Sequence, residues 1–301
     1  MALIAVAALV VAVVLIVQRS CGGQERFTVD AYRGLGAWVD VFDDVPAIGG
    51  ARPPVGPPDV DAMAAQGVRT LYLQAAFDSP SLPNGAVPDD VLVPILRRAH
   101  EHGMRVVGWY SPGFRDVDGD LRRLVAIVRY DHDGQRFDGL AVDIEDRGVA
   151  DVAERNLRVV DLSRRLREEV GTGVAIGAIV LPTVLLEEVN PKFWPQFPWA
   201  QIAGRYDVWL PMTYWTDRLR SSGYREPKRY IEATVARTRE LLGRPDALMH
   251  PIGGIGDQVT EAELEGFVST LPKIGAIGGS IYDYRTMSGG AWGVLRGRVP
   301  R

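Results

Sequence analysis

A TIM-type (β/α)8 barrel is the fold class this sequence predicts, on three observations. Eight strand-like segments recur between residues 34 and 301, amphipathic stretches of helical period separate them, and each unit takes roughly 30 to 40 residues. The segments are GLGAWVDVF (34–42), VRTLYLQAAF (68–77), MRVVGWYSP (104–112), FDGLAVDIE (137–145), GVAIGAIVL (173–181), YDVWLPMTY (206–214), ALMHPIGGI (247–255) and IGGSIYDY (277–284). Between them, stretches such as DDVLVPILRRAHEHG and DVAERNLRVVDLSRRLREEVG put apolar residues on one face, charge on the other and Gly at the stop. A doubly wound sheet is the alternative. It calls for a glycine-rich phosphate turn followed by a helix after its first strand, whereas GLGAWVD carries its glycines inside the strand. The last helix, around GAWGVLRGR, is predicted to be short.

Ahead of the barrel, residues 2–17 form an uninterrupted apolar run, about 24 Å long as a helix and slightly short of a bilayer core. Residues 1–22 therefore read as a membrane anchor or signal segment, residues 23–33 as a linker and residues 34–301 as the barrel. An anchored protein on the extracytoplasmic face, or one secreted after cleavage, is the expectation. A net charge of −4 offers no general attraction to nucleic acid, and no nucleic-acid partner is expected. Cys21 is the single cysteine, so thiols can build neither an intrachain disulfide nor a zinc cage. No cofactor and no metal are expected. DVDGD (116–120) has the wrong spacing for an EF-hand and reads as a helix start, and His250 at a strand end reads as structural.

Active sites of such barrels gather at the C-terminal ends of the strands. Acids and aromatics dominate there: Trp38 and Asp40, Asp43, Asp78, Tyr110, Asp143 and Glu145, Tyr214 and Trp215, Tyr282 and Asp283. Carboxylates accept hydrogen bonds from sugar hydroxyls and aromatic faces cover apolar ring faces, so a polysaccharide or oligosaccharide is the expected partner. Phosphate ligands would call for Arg, Lys or a helix start instead. Asp43 and Asp78 read as helix caps or turn residues. Along FDGLAVDIE the two-residue period puts Gly139, Ala141, Asp143 and Glu145 on one face. Asp143 and Glu145, about 6.5 to 7 Å apart at Cα, are close enough for one carboxyl to keep its proton near neutral pH. The competing reading pairs both with arginines. A further carboxylate is available from Asp40, Asp217, Asp257 or Asp283.

FDGLAVDIE resembles the fourth-strand motif DGxDxDxE of family 18 glycoside hydrolases, the chitinases and their relatives. MTY (212–214) is similar to their sixth-strand M-x-Y-D, and Gly278-Gly279 to the start of their eighth strand. The resemblance spans residues 34–301 and implies Glu145 as catalytic acid/base, Asp143 as the stabilising carboxylate and Tyr214 as a substrate-binding hydroxyl. The chain departs from the pattern at Ala141, where the family has an Asp, at Trp215, which replaces the Asp after the Tyr, and at the missing eighth-strand Trp. Trp215, following its strand, is expected to be partly exposed and to cover a sugar face. The expectation is a glycoside hydrolase acting on a cell-envelope or extracellular polysaccharide, with a catalytically inactive carbohydrate-binding barrel as the alternative.

Overall fold

The computed structural model describes residues 27–49 and 54–300. The apolar run 2–17 lies outside the described residues, and none of the helices within them is long and apolar enough to cross a membrane. Nine strands form one sheet: β1 (Gly34–Val39), β2 (Thr70–Gln74), β3 (Arg105–Tyr110), β4 (Gly139–Ile144), β5 (Ile176–Val180), β6 (Val208–Pro211), β7 (Leu248–Met249), β8 (Ile252–Ile255) and β9 (Gly278–Tyr282). Every neighbouring pair is parallel, in the order β7-β6-β5-β4-β3-β2-β1-β9-β8. The sheet curls in the manner of a TIM-like barrel. Its two outermost members, β7 and β8, are pieces of one predicted strand broken at His250-Pro251, where proline has no N–H to give a ladder. Met249 O accepts from Ile277 N at 2.9 Å and His250 N donates to Trp209 O at 2.9 Å, so the broken strand bonds toward both of its neighbours.

Helices cover the outside of the sheet because one face of each is apolar. Val117–Arg129 is capped by Asp116, whose carboxylate accepts from Gly119 N, so DVDGD is the helix start its sequence suggests. Val152–Val170, capped by Asp151 and ended by Gly171 at φ 75°, buries Val159, Leu162 and Leu166. The final helix is the short Gly289–Leu295.

The linker expectation needs a correction in its described part. Residues Val29–Tyr32 form a 3₁₀ turn, and Phe27 O accepts from Ala175 N at 2.6 Å. Tyr32 is completely buried, with its hydroxyl 2.6 Å from Leu140 O and 3.2 Å from Ala175 O. A Cβ on Gly139 would stand 3.3 Å from the Tyr32 hydroxyl, and one on Gly177 only 2.8 Å from its ring. The glycines at the starts of β4 and β5 therefore make room for Tyr32, which plugs the sheet's interior from its N-terminal end.

Above that plug the interior is filled by a hydrogen-bonded chain. Trp38 Nε1 donates to Ser280 Oγ at 2.8 Å, Ser280 Oγ lies 3.1 Å from His250 Nε2, and His250 Nδ1 lies 2.7 Å from Tyr32 O. These partners assign the proton to Nδ1 of a neutral imidazole. Burial holds the His250 pKa down at about 4, so the residue is the structural histidine that its sequence suggests.

Candidate active site

β4 carries the site. Val142 and Ile144 point outward under the helices and are fully buried, while Ala141 and Asp143 face inward. Asp143 is 5% exposed and its Oδ1 is sealed from solvent without a hydrogen-bond partner. Glu145 lies one step past the strand and reaches solvent. The two carboxyls are close enough for each to act on the other's ionisation. Burial, and then the neighbouring Glu145 charge, push the Asp143 pKa well above the usual carboxylate range. Desolvation, and then the Asp146 charge, raise Glu145 while the interaction with Asp143 draws it back. The inner acid is thus the stronger proton holder and the outer one is open to a substrate. Ser111 Oγ donates to the Asp143 backbone O at 3.3 Å. No ion pair to Arg or Lys involves either acid among the described residues, so the arginine-paired reading is not what the structure shows.

Glu145 opens onto a cleft of about 740 Å³ at the C-terminal ends of β4 to β6. Tyr214 and Asp217 share it, and Phe193 and Leu219 come from the loops beyond β5 and β6. Tyr214 is half-buried; burial, and then the Glu145 and Asp143 charges, oppose ionisation of its hydroxyl. Its ring stands 6.0 Å from that of Tyr282, whose hydroxyl donates to Asp40 Oδ2 at 2.6 Å. Asp283 follows directly, caps the turn Tyr284–Thr286, and has a carboxylate oxygen within 4.8 Å of one on Asp40 and one on Asp43. Asp143, Glu145 and Tyr214 therefore come together as expected, and Tyr282, Asp40 and Asp283 continue the same rim. Asp217 is the reserve carboxylate that enters the cleft. A cavity of about 620 Å³ lies elsewhere, against helix Val117–Arg129, and holds neither member of the acid pair.

Three expected ligand contacts are corrected. Trp215 is not exposed at all: the turn Trp215–Asp217 folds it back beneath the rim, where its ring packs 5.7 Å from Phe267. Trp38 is 2% exposed and stacks on Tyr72 at 4.2 Å with 9° between the planes, a core position below the site. Tyr110 is fully buried on the outer face of β3, donating to Asp120 Oδ1 at 2.7 Å. The inward residue of that strand end is Trp109, edge-on to Trp38 at 6.0 Å. Asp78 lies in the loop after β2 and pairs with Arg123 at 2.8 Å.

Sequence reasoning missed Phe193, whose ring lies under the Arg147 guanidinium at 4.0 Å, did not single out Asp44, and read Asp43 as a cap or turn residue. A signal for the last two existed. Asp40 caps the one-turn helix Val41–Asp44, and residues three and four positions on return to the same side of a helix.

No protein-family model and no curated protein matches the sequence. Solved structures do. The spore cortex-lytic enzyme SleL of Bacillus cereus aligns at a TM-score of 0.61 and 10% identity, covering 87% of this chain and 73% of that one. The glycoside hydrolase domain of PgaB (BpsB) from Bordetella bronchiseptica aligns at 0.59 and 15% identity, over 89% and 99%. A class V chitinase from Pseudomonas fluorescens Pf-5 aligns at 0.58 and 11% identity, over 87% and 98%. At such identities the likeness is one of fold, and the chain has the fold of the chitinases and family 18-like glycoside hydrolases.

Proposed function

We propose that this protein is a glycoside hydrolase on a (β/α)8 barrel, cutting O-glycosidic bonds of a cell-envelope or extracellular polysaccharide where β4 ends. One observation carries the reading: a sealed carboxyl, Asp143, stands two residues before a solvent-facing one, Glu145, on the same face of β4 at the mouth of a cleft. At neutral pH the pair holds one proton. Passage of that proton from Asp143 to its neighbour arms Glu145 as the general acid. Glu145 then gives it to the glycosidic oxygen as the bond to the anomeric carbon breaks, and Asp143, left ionised behind it, stabilises the positive charge on the sugar. Tyr214 and Tyr282 offer hydroxyls and ring edges to the saccharide. Asp217, in the same cleft, is the carboxylate available to a water. The apolar run 2–17 supports a membrane-anchored position facing the polysaccharide, to be tested by fractionating cells that express the full chain.

The test is release of reducing ends from a polysaccharide panel that includes chitin, mannan and peptidoglycan. Glu145→Gln keeps the shape and loses the transferable proton, so turnover falls by about 10² to 10⁴ with saccharide affinity retained. Unchanged turnover removes Glu145 from the mechanism. Saccharide binding without hydrolysis anywhere in the panel selects the binding barrel instead.

A further inference from the structure

The acids beyond Tyr282 exceed what sugar recognition by the cleft requires. Asp40, Asp43 and Asp283 each offer an oxygen, and these oxygens lie within 4.8 Å of one another. A calcium-type ion binds oxygens at about 2.3 to 2.6 Å, so two on opposite sides of one ion stand about 4.6 to 5.2 Å apart. The spread of the three fits inside a single coordination sphere.

A second observation is independent of that spacing. Asp44 is 1% exposed and neither of its carboxylate oxygens has a hydrogen-bond partner. Its place four residues after Asp40 turns it to the Asp40 side of the one-turn helix. The Asp43 side chain is 10% exposed and its Oδ2 is likewise buried without a partner. Unpartnered carboxylates in such places are costly unless a cation or a proton compensates them. The guanidinium of Arg285 approaches Asp43 Oδ1 at 3.5 Å and donates to Asp43 O at 3.2 Å.

We propose that Asp40, Asp43 and Asp283 form a binding site for one divalent cation of the oxygen-preferring class, calcium foremost, with Asp44 as buried counter-charge behind it. The ligand set is all carboxylate, without nitrogen or sulfur, which selects calcium, magnesium or manganese over zinc or copper. Outer partners already orient the ligands. Asp40 accepts from Phe42 N at 2.9 Å and from the Tyr282 hydroxyl, and Asp283 accepts from Thr286 N at 3.0 Å. Through Asp40 the ion would fix Tyr282, and so one wall of the saccharide site. This site does not depend on the glycosidase reading.

The test is calorimetric titration of EDTA-treated, dialysed protein at pH 7.5 with calcium, magnesium and manganese chlorides, with melting curves in parallel. Saturable one-to-one binding of calcium and a rise in Tm are expected, with Asp43→Asn and Asp283→Asn each weakening affinity at least tenfold. Glu145→Gln, outside the cluster, binds the ion like the wild type. Should the wild type show neither heat nor a Tm shift with any of the three salts up to 10 mM, the proposal is wrong. Binding that survives in Asp43→Asn/Asp283→Asn also overturns it.

Discussion

Replacing Trp215 distinguishes a core residue from a sugar platform, and the structure supplies the magnitude. The indole is fully buried between Phe267 and the backbone of β8, where a Cβ on Gly253 would come within 2.9 Å of it and one on Gly254 within 3.0 Å. Truncating such a side chain to Ala costs about 3 to 5 kcal/mol in lost burial and cavity formation. Its Nε1 is buried without a partner, so the truncation also relieves about 1 kcal/mol of desolvation cost. Trp215→Ala should therefore destabilise by about 2 to 4 kcal/mol, a fall in Tm of roughly 4 to 16 °C at 2 to 4 °C per kcal/mol. Trp215→Phe, which keeps the ring and removes the orphan donor, should stay within about 1 kcal/mol of wild type. Urea unfolding and thermal melts of the two variants, with saccharide affinity measured alongside, decide the matter. An unchanged Tm together with lost saccharide binding in Trp215→Ala would refute the burial argument and restore the surface role.

Other expectations follow from the same geometry. Asp143→Asn should lower turnover without lowering Tm: the folded pKa of Asp143 is raised, so its contribution to stability is full below about pH 4 and is lost as pH rises through the folded value, a loss that Asn does not suffer. A clear fall in the variant's Tm at pH 7 would contradict this. His250 behaves oppositely. With a folded pKa near 4 against about 6.5 unfolded, its contribution is present above pH 6.5 and lost as pH falls toward 4, about 2 kcal/mol between pH 7 and 5. Urea titrations should show a flatter pH dependence in His250→Gln over that interval. Starting the chain at residue 27 should leave a cooperative melt, whereas starting it at residue 34 removes Tyr32 and should cost at least about 3 kcal/mol. Equal melting of the two truncations would show that the plug is dispensable.

Periodicity made the strands legible, because a parallel strand buried on both faces is an apolar run bounded by turns, and β4 shows why the acid pair was legible too. Two residues apart means one face, and Asp143 and Glu145 share it. The errors arose where the period stops. Tyr110 ends β3, but alternation gives the interior to Trp109 and sends Tyr110 to Asp120. Trp215 stands past the end of β6, where a 3₁₀ turn, not the pleat, sets its direction. The acid cluster needs a helix of only four residues next to β1 and a turn after β9, and no sequence period connects Asp43 with Asp283. Room at Gly139 and Gly177 was visible as small residues, but its occupant, Tyr32, lies 108 residues before its hydrogen-bond partner Leu140.

That plug also dictates an order of assembly during synthesis. Tyr32 leaves the ribosome early, yet its carbonyl meets His250 across 218 residues, and Trp38 meets Ser280 across 242. Until about residue 280 has emerged, the nascent sheet carries an aromatic stopper with half of its socket missing and two unsealed edges, at β1 and at the last strand made. Contacts of such separation fold slowly, because loop-closure entropy is lost before they reward it. The exposed interval, rather than the finished barrel, is the stage at which this chain most needs a chaperone.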